Sequence, residues 1–227
     1  MDYVIPAPEP ASVAVIGQTA RFPVRRIFCV GRNYVAHIRE MGGDERDPPF
    51  YFCKPADAIV PTGSIIDYPP QTENFHFEME LVAAIGTGGA NIAEEDALDH
   101  VYGYATGLDM TRRDVQIAHR EKGRPWDMGK GFDQSAPCGD IHPVSDTGHF
   151  PKGSIWLKVN GDTKQNSDLE LMIWNLQETI ANLSGLVTLA AGDLIYTGTP
   201  DGVGPVVSGD KMLGHIDGLS DIEITVR

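Results

Sequence analysis

His76-Phe77-Glu78-Met79-Glu80-Leu81-Val82-Ala83-Ala84-Ile85 reads as a β-strand with two unlike faces, predicted over Phe77–Ile85. Side chains alternate along a strand, so Phe77, Met79 and Leu81 share one face and Glu78 and Glu80 the other. Two carboxylates so placed sit roughly 6–7 Å apart, and like charges that close repel unless a cation stands between them. The solvated face of an edge strand has the same spacing. His76 falls on the carboxylate face and is assigned no role.

Downstream, Gly107-Leu108-Asp109-Met110-Thr111 puts a third carboxylate at the end of a strand predicted over Tyr104–Asp109. Three carboxylates with no cysteine cluster and only His76 nearby suit Mg²⁺, Mn²⁺ or Ca²⁺ better than zinc. Thr111, with Asp114 three residues on, is expected to open a helix that Gly123 closes. Lys130 follows, flanked by Gly129 and Gly131, which leave its ammonium free to approach a ligand closely; a plain turn lysine fits equally well. Thr197-Gly198-Thr199-Pro200-Asp201-Gly202-Val203-Gly204 reads as a tight loop after a strand. Its backbone N–H groups suit a carboxylate, or it is simply a turn.

Upstream, Arg26–Val30 is predicted as a strand running into Gly31. A short helix follows from Asn33, a good N-cap, to about Met41, stopped by Gly42-Gly43. His37 and Glu40 lie three apart on that helix and share a face, where the carboxylate can orient the imidazole. Such a dyad takes a proton from water, an effect worth roughly 10²–10⁴ in rate; a surface ion pair has the same spacing. The bounding glycines suggest a lid.

The rest completes the frame. Residues 1–20 read as a leading hairpin around Gly17, and 94–101 as a short helix. Ile155–Val159 is a strand entering an Asn160-Gly161 hairpin turn. A helix is predicted from Ser167, with Glu170 at its third position, to Gly185. Its apolar face is Leu169, Met172, Ile173, Leu176, Ile180 and Leu183. Asp193–Gly198 and Ile222–Val226 are predicted as the last strands. The sum is a β-rich α+β fold rather than regular βαβ alternation, with a short extension over 1–23 and one domain over 24–227.

Composition narrows the function. A 227-residue chain of 41% apolar residues can bury a core, and its net charge of -14 argues against nucleic acid or an anionic membrane as partner. No apolar run is long enough to span a bilayer and the first residues carry no export pattern, so a cytoplasmic protein is expected. Cys29, Cys53 and Cys138 have no paired spacing and read as idle thiols. His100, His119, His142, His149 and His215 show no ligand spacing. An anionic substrate would need a cation, or a few basic side chains, inside so acidic a protein.

Taken in order, these motifs resemble the fumarylacetoacetate hydrolase superfamily. They are Gly31-Arg32-Asn33-Tyr34 with His37 and Glu40, His76-x-Glu78-x-Glu80, and Leu108-Asp109-Met110-Thr111-x-Arg113-Asp114-x-Gln116. Lys130-Gly131-Phe132-Asp133, Thr197-Gly198-Thr199-Pro200 and Gly202-Val203-Gly204 complete the series. The likeness covers about residues 24–226 and is strongest to the short acylpyruvate hydrolases. Arg39-Glu40-Met41-Gly42, Asp47-Pro48-Pro49-Phe50 and Lys54-Pro55-Ala56-Asp57 look most like the members that cleave fumarylpyruvate in the gentisate route of aromatic breakdown.

The resemblance implies the family's mixed β-sandwich roll, a homodimer, and Mg²⁺ or Mn²⁺ at Glu78, Glu80 and Asp109 (Ca²⁺ is acceptable in a crystal). It implies a small 2,4-diketo acid such as 3-fumarylpyruvate as substrate. Arg113, Gln116 and Thr199 are candidates to contact the pyruvyl half. His37 with Glu40 would activate water, and Lys130 would stabilise the oxyanion formed at C4. For the far carboxylate, Arg32, Arg124 and a partner-subunit residue stay open. So do two rivals: decarboxylation of oxaloacetate or isomerisation or decarboxylation of a hydroxymuconate-type acid on the same cation, and a non-catalytic diacid binder.

Overall fold

The computed structural model describes residues 2–34 and 47–227. The His37–Glu40 dyad and the helix and lid expected around it fall outside the described residues. Asn33, expected as that helix's cap, commits its side chain elsewhere. It donates to the carbonyls of Trp174 (2.9 Å) and Thr197 (2.7 Å) and accepts from Trp174 N–H (2.8 Å).

The fold is α+β and β-rich, built from mixed sheets. The larger sheet runs in the order Phe50–Lys54, Arg26–Gly31, Asp193–Tyr196, Met79–Ile85, Val101–Leu108, Ala136–Cys138, Ile59–Pro61. Asp193–Tyr196 lies parallel to Arg26–Gly31 and Ala136–Cys138 parallel to Ile59–Pro61, while the other neighbours along this order are antiparallel. Asp193 pins the first parallel pair. Its buried carboxylate takes two hydrogen bonds from Arg26 (3.0 and 2.7 Å) and one from Ala190 N–H. The second sheet runs Asp162–Asp168, Ser154–Val159, Lys211–Ile216, Ile222–Val226, Ile65–Ile66.

The carboxylate strand is central, between Asp193–Tyr196 and Val101–Leu108, and every residue of Met79–Ile85 is buried. Burial on both faces favours a near-continuous apolar run over alternation, which Leu81 to Ile85 supplies. Phe77, Met79, Leu81, Ala83 and Ile85 face a core shared with Ile155, Leu157, Met212 and Ile224 of the second sheet and with Ile180 and Leu183. Val82 and Ala84 face a smaller core with Val13, Phe22, Leu194 and Tyr196, under the hairpin Ser12–Ala14/Arg21–Pro23. Glu78 and Glu80 take the end of that second face.

Several boundaries differ from the sequence expectation. The strand expected over Phe77–Ile85 breaks at Glu78 into Phe75–Phe77 and Met79–Ile85, because the Glu78 carbonyl accepts from Asp109 N–H (2.9 Å) while Phe77 pairs with Gly204. The helix expected from Thr111 begins at Arg113. Thr111 pairs with His76 instead, and Asp114 spends its carboxylate on Thr72, Glu73 N–H and its neighbour Val115. The helix expected from Ser167 begins at Leu176. Ser167 is held in a strand opposite Ile155, and the capping box is formed by Asn175 and Glu178. Gly185 lies inside that helix, which runs to Leu186.

The Asn160-Gly161 turn forms where expected, both residues at positive φ (51° and 90°), as a two-residue hairpin of right-handed twist demands. Its return strand carries a bulge at Lys164, since Leu157 pairs with Gln165 and Lys158 with Thr163. Bulges re-aim side chains, and here Gln165 alone is buried in a strand whose other residues are exposed or half-buried.

Candidate metal centre and pocket

Glu78, Glu80 and Asp109 converge at one end of the large sheet, each offering an oxygen within 4.8 Å of the others, and all are buried. Glu80 is carried by the central strand, Glu78 by the break before it, and Asp109 follows the neighbouring strand Val101–Leu108. None of His100, His119, His142, His149 and His215 joins this group, and no cysteine does among the described residues.

Cations surround two of the three acids. Lys130, 2% exposed, donates to Glu78 Oε2 (2.8 Å) and Asp109 Oδ2 (2.7 Å). Arg113 hydrogen-bonds Glu78 Oε1 and donates to Gln116 Oε1 (2.6 Å). Lys54 is fully buried behind the site. Its ammonium lies 2.8 Å from Asp109 Oδ1, donates to Met110 O (3.0 Å) and also bonds the Lys130 carbonyl. Glu80 accepts from Gly198 N–H (2.8 Å). The tight loop does hold a carboxylate, but one of the protein's own. Gly198 sits at φ 95° with its Cα against Asn33, where a Cβ would come within 2.6 Å.

The charges are therefore unevenly compensated. Burial drives the Glu78 carboxyl upward, but Lys130 and Arg113 outweigh it and hold it below the ordinary carboxylate range. Burial, then Asp109 and Glu78, push the Glu80 carboxyl well above that range. For Lys130, burial opposes the charge, but Asp109 and Glu78 prevail and raise its pKa. Asp109 Oδ1, though beside Lys54, has no aligned donor among the described residues. An under-compensated Glu80, in an all-oxygen set where Asp109 Oδ1 has a charge beside it but no aligned donor, fits a hard divalent cation.

The carboxylates open onto a pocket of about 290 Å³. Its floor is Glu78, Glu80 and Lys130, and one wall is the helix Arg113–Glu121 with Arg113, Gln116, Ile117 and Arg120. Phe52, whose ring centroid lies 4.9 Å from Lys130 Nζ, and Trp126, Arg32, Thr199 and Val203 complete the lining. All the predicted site residues among those described meet here except Asp109, which lies beneath the floor. Arg124 is exposed and outside the lining.

His76 lines the pocket, and burial, then the charge of Arg113, lower its pKa to about 4. Its Nε2 lies 2.8 Å from Asn74 Oδ1, and its Nδ1 faces Arg113 Nε at 3.4 Å. A neutral imidazole protonated at Nε2 serves both contacts.

Sequence reading missed three supporting residues. Lys54 lay in a motif quoted only for resemblance. Gln165 is 1% exposed; it donates to Thr199 Oγ1 (2.8 Å) and Pro200 O (2.9 Å) and accepts from Met79 N–H (2.9 Å), tying the rim loop to the carboxylate strand. Arg120 follows Arg113 and Gln116 at helical spacing, the one signal that was available. Gly129 packs on the backbone of Gln116, where a Cβ would meet its nitrogen at 2.9 Å, and this close approach brings Lys130 to the acids.

A family model described as fumarylacetoacetate (FAA) hydrolase C-terminal matches residues 26–227. A fumarylpyruvate hydrolase of Ralstonia sp. is 50% identical over 177 residues, 78% of this chain and 92% of that protein. The mitochondrial oxaloacetate tautomerase of Homo sapiens is 41% identical, over 89% of this chain and 92% of that protein. A crystal structure of fumarylpyruvate hydrolase from Pseudomonas aeruginosa in complex with Mn²⁺ and pyruvate superposes with a TM-score of 0.96 at 53% identity, covering 99% of each chain.

Proposed function

The chain belongs to the fumarylacetoacetate hydrolase family, and on that premise we propose that it is a metal-dependent acylpyruvate hydrolase that cleaves 3-fumarylpyruvate to fumarate and pyruvate. The observation that carries this is the pocket floor. Three buried carboxylates and a buried lysine stand beside an arginine and a glutamine able to hold an α-oxo acid. The relatives named for this substrate support it.

In this reading Glu78, Glu80 and Asp109 hold Mg²⁺ or Mn²⁺, which when bound supplies Lewis-acid chemistry beside the 2-oxo group. Arg113, Gln116 and Thr199 contact the pyruvyl half. Gln165 keeps the Thr199 hydroxyl in place. Water adds to the C4 carbonyl after losing its proton to a base, the role assigned to His37 oriented by Glu40. Lys130 faces the charge that develops on the C4 oxygen. The C3–C4 bond then breaks; its electron pair goes to C3, which takes a proton to give pyruvate, and C4 leaves as the new carboxylate of fumarate.

The reading extends to a homodimeric cytoplasmic enzyme of the gentisate route with one domain over residues 24–227. Sedimentation at twice the 24.7 kDa chain mass would support the dimer, and the chain mass itself would refute it. Among the described residues no helix is long and apolar enough to cross a membrane.

The test is loss of 3-fumarylpyruvate absorbance with and without EDTA, on wild type and His37→Ala. Metal-dependent loss with equimolar fumarate and pyruvate, absent in the variant, is expected; no turnover with Mn²⁺ present refutes the substrate. Chemistry on oxaloacetate is the second reading, favoured by the 41% identity to the human tautomerase. Faster conversion of oxaloacetate than of fumarylpyruvate would establish it.

A further inference from the structure

The helix Arg113–Glu121 presents Arg113, Gln116, Ile117 and Arg120 to the pocket. This spacing of three, four and seven keeps them on one stripe of its surface. Arg113 and Gln116 form the lower end of the stripe, bonded to each other and to Glu78. Arg120 lies seven residues on, about 10 Å further along the axis at 1.5 Å per residue. Ile117 lies between them on the helix, and Phe52 and Trp126 add apolar surface to the lining, the Phe52 ring centroid 4.9 Å from Lys130 Nζ. The pocket is thus polar and cation-binding at its floor and carries a basic group two turns further along its helical wall.

We infer that Arg120 is the residue that reads the distal carboxylate of the substrate, and that it selects for chain length. The inference rests on the acylpyruvate reading above for which end lies at the floor. An extended seven-carbon 2,4-diketo diacid has its terminal carbons roughly 7–8 Å apart, at about 2.5 Å for every two bonds. With the pyruvyl end beside Arg113 and Gln116, the far carboxylate reaches the level of Arg120. The double bond lies along the helix at Ile117. Oxaloacetate, with four carbons, ends roughly 4 Å from where it begins and stops short of the mouth.

Chemistry and charge agree with this length. Guanidinium matches a carboxylate in a two-pronged geometry that no other side chain offers. Arg32 stands on the same rim, its backbone at φ 58° and its guanidinium 5.9 Å from the Phe50 ring centroid, so a second cation faces the same region. Two arginines at the mouth of a pocket in a chain of net charge -14 form a local reversal of sign, as steering a dianion requires. The plain alternative is that Arg120 serves only contacts within the protein and the helix dipole. In that case it would have no bearing on ligand choice.

The experiment is calorimetric titration of the Mn²⁺-loaded protein with 2-oxoheptanedioate, 2-oxoheptanoate and oxaloacetate. The first keeps the seven-carbon length and both carboxylates but has no 4-oxo group, so nothing is cleaved; the second lacks only the far carboxylate. Wild type is expected to prefer the diacid by about 10- to 100-fold, the range of one charge-assisted contact. Arg120→Met should bring the two within about threefold and leave 2-oxoheptanoate and oxaloacetate unchanged, with Arg120→Lys in between. A preference that survives Arg120→Met overturns the inference. So does a wild type that binds both seven-carbon acids equally. Failure of the wild type to bind any of the three acids would instead refute the 2-oxo acid reading of the floor, a result distinguishable from either.

Discussion

Replacing Lys130 by Met tests the electrostatics of the floor most directly. The ammonium is buried and bonds two carboxylates at 2.7 and 2.8 Å. Methionine fills similar volume, so the cavity term is small and the change is mainly one of charge. Three acids would be left with Arg113 on Glu78 and Lys54 beside Asp109. Removing one partner of a buried pair costs about 3–5 kcal/mol, because the other charge stays buried and uncompensated. For a chain of this size each 1 kcal/mol moves Tm by roughly 2–4 °C, so the metal-free variant should melt about 10 °C lower. Mn²⁺ ought to restore more of this loss in the variant than it adds to wild type, because it neutralises acids the lysine no longer reaches. Loss of the group facing the oxyanion should lower kcat by about 10²–10³ with little change in KM. Differential scanning fluorimetry with and without Mn²⁺, and steady-state kinetics on 3-fumarylpyruvate, read both. A Tm within 2 °C of wild type, an Mn²⁺ shift no larger than in wild type, or a kcat within threefold would refute the account.

Two further outcomes follow from the same geometry. His76, with its pKa lowered to about 4 against 6.5 in the unfolded chain, stays neutral where the unfolded chain takes a proton. Its contribution to stability is present above pH 6.5 and is lost as pH falls toward 4. Allowing for its partial exposure, the loss is roughly 1–2 kcal/mol; urea titrations of EDTA-treated protein at pH 7 and pH 5 should show it, and His76→Gln should remove that part of the slope. Gly129→Ala places a methyl 2.9 Å from the Gln116 nitrogen, so the short helix Asp127–Lys130 must move and carry Lys130 off the acids. Activity should drop at least tenfold, and wild-type kcat/KM in this variant would show that the close packing does not position the lysine.

What the sequence revealed of the fold followed the range of the forces involved. Asn160-Gly161 was legible because a two-residue hairpin depends on the left-handed freedom of those two residues alone. The stretch 167–183 was misread because it contains two helix-start patterns. Ser167 with Glu170 and Asn175 with Glu178 satisfy the same local rule, and the choice is made by Ser167 pairing with Ile155 in a sheet. Phe50–Lys54 passed unread for a related reason. It shows no clean alternation, and its partner Arg26–Gly31 lies some twenty residues away.

The site divides along the same line, and the division bears on function. Glu78 and Glu80 announced themselves by a spacing that makes sense only around a cation or in water, and the sheet removed the water. Asp109 joined them as a third carboxylate at a strand end, whereas Lys130, Arg113 and Gln116 became a set only when motif order joined them. Lys54 and Gln165 stayed invisible, since each acts through a neighbour distant in sequence, Asp109 and Thr199; the Gly198 loop was legible as a carboxylate holder, but not that the carboxylate is Glu80. Those silent contacts fix where the cation's charge is needed. Lys130, Arg113 and Lys54 compensate Glu78 and Asp109, whereas Glu80 receives a backbone N–H and is driven well above the carboxylate range by burial and its two acidic neighbours. Neutralising all three acids with lysine and arginine would leave nothing to attract a metal. Sparing one of them leaves a carboxyl whose proton a divalent ion can displace, while the lysine between the other two stays charged.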